Sequence, residues 1–261
     1  MNIKRVKTAY THNGHMHADD VFSAALLKIL NPKINIVRID RKDINKYKNK
    51  FLFDIGNGKF DHHSTDKVTR KNGIPYASFG LIMHEYYPLL GLNKDFYEKI
   101  DKDFIKVIDK VDNVGQGHSV TSPVSLIISL MNEKNLYGKE QEKTFIKAVN
   151  LARKILKILI NHYLENQKIV IDVKKIINDN PAKKYLVLDK IFPQHLFKDS
   201  SVQFIIFQNK YKHYAILSTN SFQHKINDTI TKDKIFVHSR RFLGIYKNLE
   251  TIKKVAELSI V

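Results

Sequence analysis

Histidine and aspartate are concentrated in three short clusters within the first quarter of the sequence. The first is Thr11–Asp20, which reads THNGHMHADD, the second is Asp54-Ile55-Gly56, and the third is Asp61-His62-His63. Asp112 is a fourth candidate further along the chain. Imidazole and carboxylate ligands suit Mn, Zn or Fe, and sets rich in carboxylate favour Mn or Mg. Two cations that share a carboxylate are the usual arrangement for phosphoryl displacement, so the clusters predict a hydrolytic metal site.

The clusters fall where predicted strands end. Apolar patterning predicts strands over Arg5–Thr11, Ile34–Ile39 and Phe51–Ile55, and a helix with apolar residues at helical spacing over Ala18–Leu30. Strands that alternate with helices indicate an α/β domain with a mostly parallel sheet and flanking helices. In such domains functional groups gather at the carboxyl ends of the strands, which is where the His/Asp clusters stand.

The rest of the chain predicts more helix and then a second, smaller α+β unit. Apolar stripes predict helices over Ser78–Leu90, Phe96–Val111 and Glu140–Leu164, and Asn178–Pro181 reads as a linker. Short β-branched runs predict strands, and a last helix closes the chain: Tyr185–Leu188, Gln203–Phe207, His213–Leu217, Ile235–Val237 and Leu249–Leu258. We therefore expect a catalytic domain over residues 1–177, a substrate-binding domain over 178–261, and an active site in the cleft between them.

Positive charge is unevenly distributed. The chain carries a formal charge of +18, and residues 131–261 hold 24 Lys/Arg against 12 Asp/Glu. Such a surface attracts polyanions, above all nucleic acid, although scattered lysines are often only a solvated surface. No apolar run is long enough for a membrane span, and the N-terminus resembles neither a signal nor a transit peptide. We expect an intracellular, cytoplasmic protein that binds no membrane; a nuclear or organellar location and the oligomeric state stay open.

Several motifs together resemble those of a known family. Asp61-His62-His63 after Asp54 resembles the DHH phosphoesterase superfamily, and the whole set is similar to the Myg exonucleases within it. The motifs occur in the family's order: Thr11-His12-Asn13-Gly14-x-x-His17-x-Asp19, Ile36-Val37-Arg38, Asp54-Ile55-Gly56, Ser78-x-Gly80-Leu81-Ile82, Val111-Asp112-Asn113 and Phe236-Val237-His238-Ser239-x-x-Phe242. The resemblance covers nearly the whole chain.

The resemblance implies roles for individual residues. The implied ligands of two divalent cations, Mn²⁺ first with Mg²⁺ as the alternative, are His12, His17, Asp19, Asp54, His62 and Asp112. Asp54 would bridge both ions, and His63 would face the scissile phosphate as a hydrogen-bond donor or acid. The implied substrate contacts are Arg38, His238, Arg240 and Arg241. The implied activity is hydrolysis of RNA, in preference to DNA, from the 3′ end.

The sequence also departs from the family. Asp20 stands where Glu is usual, Ala18 where Cys is frequent, and Ser64 where Gln is usual. Arg38-Ile39-Asp40-Arg41 replaces an Arg-Thr-Arg-Asp order, and Pro193-Gln194 replaces a Pro-Trp pair. No implied metal ligand is missing, so we expect an active enzyme with altered substrate contacts.

Two alternatives to an RNA exonuclease stay open. One is a phosphoesterase for small molecules, such as short oligonucleotides, nucleoside bisphosphates or pyrophosphate. The other is an RNA-binding protein that has kept the scaffold without turnover. Hydrolysis by a metal-activated hydroxide needs no covalent enzyme intermediate. No Ser- or Cys-based mechanism competes with it, because the chain has no cysteine and lacks a Gly-x-Ser-x-Gly nucleophile motif.

Overall fold

A computed structural model describes residues 2–64, 67–114 and 122–261 of the 261-residue chain. The chain divides into two compact units, Met1–Gln167 and Lys168–Val261, which we call unit 1 and unit 2. The expected boundary between residues 177 and 178 lies further along the chain than this division. The assignment of catalysis to the first unit and substrate binding to the second remains a prediction.

Unit 1 contains a three-stranded parallel sheet, as the sequence predicted. Its strands are β1 (Thr8–His12), β2 (Asn35–Ile39) and β3 (Phe51–Leu52), in the order β2-β1-β3. The third strand is shorter than predicted because Asp54 adopts a left-handed φ of 55°, which ends the extended backbone. The backbone N–H of Phe53 still donates to the Tyr10 carbonyl at 3.0 Å, so the turn stays attached to β1.

Unit 1 also contains helices that pack on one another. They are α1 (Ala18–Leu30), α2 (Ser78–Tyr86), α3 (Lys94–Ile100), α4 (Lys106–Val114) and α5 (Pro123–Leu130). The bounds of α1 are those predicted, and it packs against α2, α4 and α5. The predicted helix over Phe96–Val111 is interrupted by a π-helical turn, Asp101–Ile105, between α3 and α4.

The sequence did not predict α5. Its local signals are nevertheless ordinary ones: the Ser122 hydroxyl accepts the Ser125 N–H at 3.2 Å, and Pro123 occupies the first helical position. The run that follows, Leu126-Ile127-Ile128, is too short for a periodicity that distinguishes a helix from a strand.

The next helix, α6 (Lys139–Asn178), is much longer than the predicted Glu140–Leu164, and the division between the units falls inside it. Its apolar spacing continues beyond Leu164 through Ile169, Val173 and Ile176, which join one core cluster of unit 2. The helix therefore continues because its later turns also bury an apolar face.

Unit 2 contains a mixed five-stranded sheet and a closing helix. The elements are β4 (Tyr185–Leu188), β5 (Phe204–Gln208), β6 (Tyr214–Ser218), β7 (Lys234–Val237), β8 (Leu243–Tyr246) and α7 (Leu249–Ser259). The strand order is β4-β5-β6-β8-β7, with β4 and β5 parallel and the other pairs antiparallel. Phe204 and Ile206 enter one core cluster while Ile205 enters another, as alternation along a strand requires.

The sequence missed β8, because Leu243-Gly244-Ile245-Tyr246 is short and holds a glycine. Among the described residues, no helix combines the length and the apolar character that crossing a membrane would need.

Candidate metal centre

The parallel sheet of unit 1 brings two His/Asp clusters to one edge. His12 is the last residue of β1, and Asp54 follows the end of β3, which pairs with β1 in parallel. Gly14, with a φ of 87°, turns the chain between β1 and α1, and Asp19 lies in the first turn of that helix. The carboxyl ends of neighbouring parallel strands therefore place these side chains together.

Asp54 lies at the centre of the cluster. It is 2% exposed, and its two carboxylate oxygens face different histidines. Oδ2 lies 3.1 Å from His12 Nε2, and Oδ1 lies 3.1 Å from His62 Nε2. A carboxylate with one partner on each oxygen has the geometry that a ligand shared by two cations needs.

His62 joins Asp54 to two further carboxylates. Its Nε2 lies 3.0 Å from Asp112 Oδ2 and 4.0 Å from Asp19 Oδ2. One ligand atom from each of Asp19, His62 and Asp112 lies within 4.8 Å of the other two, and the same holds for Asp54, His62 and His63. Two ligand atoms at right angles, each about 2.1 Å from one ion, lie about 3.0 Å apart, so this spacing suits direct coordination.

His17 lies at the edge of the cluster. Its Nδ1 is 3.9 Å from Asp112 Oδ1, its side chain is half exposed, and its ring centre is 6.1 Å from that of His12. The structure thus brings all six predicted ligands into one cluster, where each has a polar atom within 4.0 Å of another member. Which of the six bind a cation remains a prediction.

The electrostatics of the cluster fit a bound cation. Burial and the charges of Asp54 and Asp112 raise the pKa of Asp19 well above its ordinary value. Burial alone would lower the pKa of His62, yet hydrogen bonds to Asp112 and Asp54 outweigh it and raise the pKa to about 11. Protonated imidazole thus offsets buried carboxylates here, which is the work that a divalent cation does in such a site.

The six predicted ligands line one cavity of about 450 Å³ in unit 1. His63 lines it too, with Nδ1 2.6 Å from Asp61 Oδ1 and 3.7 Å from Asp54 Oδ1. Burial would raise the pKa of Asp61, but hydrogen bonds from His63 and from the Asn57 backbone lower it. Because an ionised carboxylate only accepts, it holds the proton of His63 on Nδ1. Nε2 is then left for another partner.

Three basic side chains that are not among the predicted site residues also line this cavity: His15, Arg41 and Lys67. The Lys67 ammonium donates to Asn113 Oδ1 at 2.9 Å, next to Asp112. Lys67 stands in no pattern that the sequence shows, so only the fold places it beside the acidic cluster.

Arg38, a predicted substrate contact, lies behind the site. Its side chain is 1% exposed. The guanidinium donates to the His12 carbonyl at 3.2 Å, to the Gly14 carbonyl at 2.6 Å and to Glu142 Oε1 at 2.9 Å. These bonds hold the loop that follows β1, so Arg38 supports the position of His12. A contact with substrate is not among them and remains a prediction.

Two amide side chains that sequence reasoning missed hold the same loop. Asn132 accepts the Met16 N–H and donates to the Met16 carbonyl, both at 2.9 Å. Gln141 donates to the Gly14 carbonyl at 3.1 Å. Asp20 is fully buried, accepts the His17 N–H at 2.8 Å, and has its other oxygen 3.8 Å from His12 Nε2.

A buried ion pair that includes Asp109 of α4 is a second support of the site. Arg70 pairs with Asp101 and Asp109, each at 2.6 Å, and its guanidinium stacks on the Tyr76 ring at 3.9 Å. Asp109 is fully buried and accepts the Gly80 N–H at 3.1 Å. It lies one helical turn before Asp112, so this ion pair fixes the helix that carries a predicted ligand. No sequence signal marked it, because the partners are 39 residues apart.

The other predicted substrate contacts lie in unit 2, after β7. The Arg240 N–H donates to His238 Nδ1 at 3.1 Å, and the Arg241 N–H donates to the His238 carbonyl at 2.7 Å. Arg241 has a left-handed φ of 56°, so the three residues form a tight turn between β7 and β8. Their role in substrate binding remains a prediction.

Comparison with known proteins gives two matches. Residues 8–260 match the family MYG1_exonuc, described as "Uncharacterised protein family (UPF0160)". The chain is also similar to the MYG1 protein YER156C of Saccharomyces cerevisiae. The two are 22% identical over 330 aligned residues, which include 100% of this chain and 97% of the yeast protein. No solved structure matches the chain.

Proposed function

Because the chain belongs to the MYG1_exonuc family, we propose that it is a two-cation phosphoesterase that removes nucleotides from the 3′ end of RNA. The observation that carries the proposal is Asp54, whose two oxygens face His12 and His62 at 3.1 Å. The exonuclease activity in the proposal is taken from the name of the family. The excess of basic residues after position 130 favours a polymer over a small substrate.

The donor set divides between two positions. His12, His17 and one oxygen of Asp54 would hold the first cation. Asp19, His62, Asp112 and the other Asp54 oxygen would hold the second. When bound, the two cations lower the pKa of water and neutralise charge that develops on phosphorus. The mixture of imidazole and carboxylate ligands favours Mn²⁺, with Mg²⁺ as the alternative.

The chain itself supplies proton transfer and positioning. Asp61 keeps the His63 proton on Nδ1, so Nε2 is the atom offered to a substrate oxygen. A protonated His63 would donate to the departing oxygen, and its half-exposed side chain gives it access to substrate. Lys67 and Arg41, on the same cavity, would attract the phosphate chain and orient it across the ligands.

The test uses purified protein reconstituted with Mn²⁺ and incubated in parallel with RNA, DNA and pyrophosphate, the two polymers end-labelled. We expect mononucleotides to appear progressively from the 3′ end of RNA. Asp54→Asn, which is close in size but cannot serve two cations, should abolish this turnover while the circular dichroism spectrum stays that of the wild type.

Two other outcomes would replace the proposal. Turnover of pyrophosphate without degradation of RNA would assign the site to small phosphate compounds. RNA binding without Mn²⁺-dependent turnover of any of the three substrates would identify a binding protein. Wild-type turnover by a folded Asp54→Asn protein would remove the bridging role.

A further inference from the structure

A separate cavity in unit 2 combines exposed aromatic and basic side chains. It measures about 270 Å³ and is lined by Gln194, Ser221, Phe222, Lys225, Arg240 and Phe242. Phe222 is 93% exposed. An aromatic ring this exposed contributes almost no buried area to the fold, so it is free to bury that area against a ligand.

Further aromatic rings continue from this cavity along the sheet. The His238 ring lies 4.4 Å from the Phe242 ring, and the Phe236 ring lies 6.3 Å from that of His238. Phe236 is 44% exposed and belongs to β7, which stands at the end of the strand order. The cavity, which Phe242 lines, is therefore continuous with a row of aromatic rings.

The charge of the cavity is positive. No carboxylate is among its lining residues. The Lys225 ammonium donates only to the backbone carbonyls of Ser221 and Arg240, and neither it nor Arg240 has an acidic partner within the described part of the chain. Unit 2 as a whole holds 17 Lys/Arg against 8 Asp/Glu. An anionic ligand would thus meet two cations that the described structure leaves unneutralised.

We propose that this cavity is a stacking site for a base of single-stranded nucleic acid. Phe222 and Phe242 would hold the base, and Arg240 and Lys225 would hold the flanking phosphates. The size agrees, since cavities that take up a whole drug-sized ligand measure roughly 300–1,000 Å³ and this one suits a single ring system. Aromatic faces interleaved with basic groups are how proteins bind single strands without reading their sequence. The proposal deepens the proposed function and rests on it for the class of substrate.

The test measures affinity of the full chain for a fluorescein-labelled single-stranded RNA 12-mer in EDTA, where cleavage is blocked. A 12-mer of the same backbone with abasic positions is measured beside it. Phe222→Ala should weaken binding of the base-containing strand by about 5- to 150-fold, the loss of one stack worth about 1–3 kcal/mol. Binding of the abasic strand should not change, and Phe222→Trp should retain the affinity.

Tyr211→Ala is the matched control, because Tyr211 is 67% exposed in the β5–β6 turn of the same unit but does not line the cavity. It should leave both affinities unchanged. Lys225→Ala should instead weaken binding of both strands. The slope of log affinity against log salt concentration should fall in magnitude by about one, since one phosphate contact is lost.

Equal effects of Phe222→Ala on the two strands, or no effect on either, would overturn the stacking site. A peptide or membrane ligand would give the same negative result. Mn²⁺-dependent hydrolysis of bis(p-nitrophenyl) phosphate, measured separately, reports the metal site alone. If this hydrolysis is observed but Phe222→Ala does not affect RNA binding, the phosphoesterase stands and the stacking site is refuted. If hydrolysis is absent but binding depends on the base, the stacking site stands and the phosphoesterase is refuted.

Discussion

Gly80→Ala tests whether the buried ion pair under α4 supports unit 1. A Cβ on Gly80 would overlap Asp109 Oδ2 and lie 2.8 Å from both Asp109 Cγ and Tyr76 Cδ1. Asp109 cannot move aside freely, because it is fully buried and held by Arg70 at 2.6 Å. The added methyl group must therefore displace the carboxylate and break its hydrogen bond from the Gly80 N–H.

The magnitude follows from opposing effects. Overpacking costs about 1–3 kcal/mol. A fully broken buried ion pair costs about 3–5 kcal/mol, but Arg70 keeps Asp101, so we take about 2 kcal/mol for the loss of Asp109 alone. The higher helix propensity of alanine offsets at most about 1 kcal/mol of this cost, the difference from glycine in an exposed helix interior. We expect a net destabilisation of about 2–4 kcal/mol, which for a unit of this size is a fall in Tm of roughly 5–15 °C.

Differential scanning calorimetry measures the fall, with Gly58→Ala as the control. A Cβ on Gly58 would meet no atom within 4 Å, so the Tm of Gly58→Ala should stay close to that of the wild type.

Burial, opposed by Arg70, raises the pKa of Asp109 to about 7. A carboxyl pKa raised on folding makes stability fall as pH rises towards that value. Loss of the Arg70 contact raises the pKa further, so the gap between wild type and variant should widen above pH 7. A Gly80→Ala protein as stable as Gly58→Ala would refute this account.

Two further predictions separate positioning from catalysis. His63→Gln should lower kcat by about 10²- to 10⁴-fold, the usual contribution of a general acid, while metal content measured by atomic emission stays at the wild-type value; loss of metal would instead make His63 a ligand. Arg38→Lys should lower the free energy of unfolding by roughly 2 kcal/mol, because an ammonium cannot reproduce the forked hydrogen bonds to the carbonyls of His12 and Gly14. It should also weaken Mn²⁺ binding in calorimetric titrations. If Arg38→Lys instead raises KM and leaves stability and metal affinity unchanged, Arg38 contacts the substrate.

The sequence predicted the location of the candidate site because the signal there is local. A strand that ends in His12 and another followed by Asp54 need only be parallel neighbours for their ends to meet. The helix Ala18–Leu30 had the bounds that apolar spacing and the preceding loop indicated. Local patterning also located four of the five strands of unit 2, and it failed at β8, where a glycine interrupts a short run.

The supports of the site could not be predicted, because they join residues that are distant in the sequence. Gln141 reaches the Gly14 carbonyl across 127 positions, and Asn132 reaches Met16 across 116. Asparagine and glutamine in loops and helix starts are common, and nothing in the residue type says which backbone group it will meet. The substrate role of Arg38 came from the family resemblance, and no local pattern in the sequence shows that its guanidinium would also meet three protein acceptors.

The distances along the chain bear on how the site forms. The predicted ligands extend from His12 to Asp112, and the loop between β1 and α1 is held by Arg38, Asn132 and Gln141. A local motif excised as a peptide would therefore lack both half of its ligands and the groups that orient the rest. The carboxylates also repel one another when brought together by burial, as the raised pKa of Asp19 records. Packing of α1, α2 and α4 must supply the free energy that holds them in place, so metal affinity and the stability of unit 1 should fall together in variants such as Gly80→Ala.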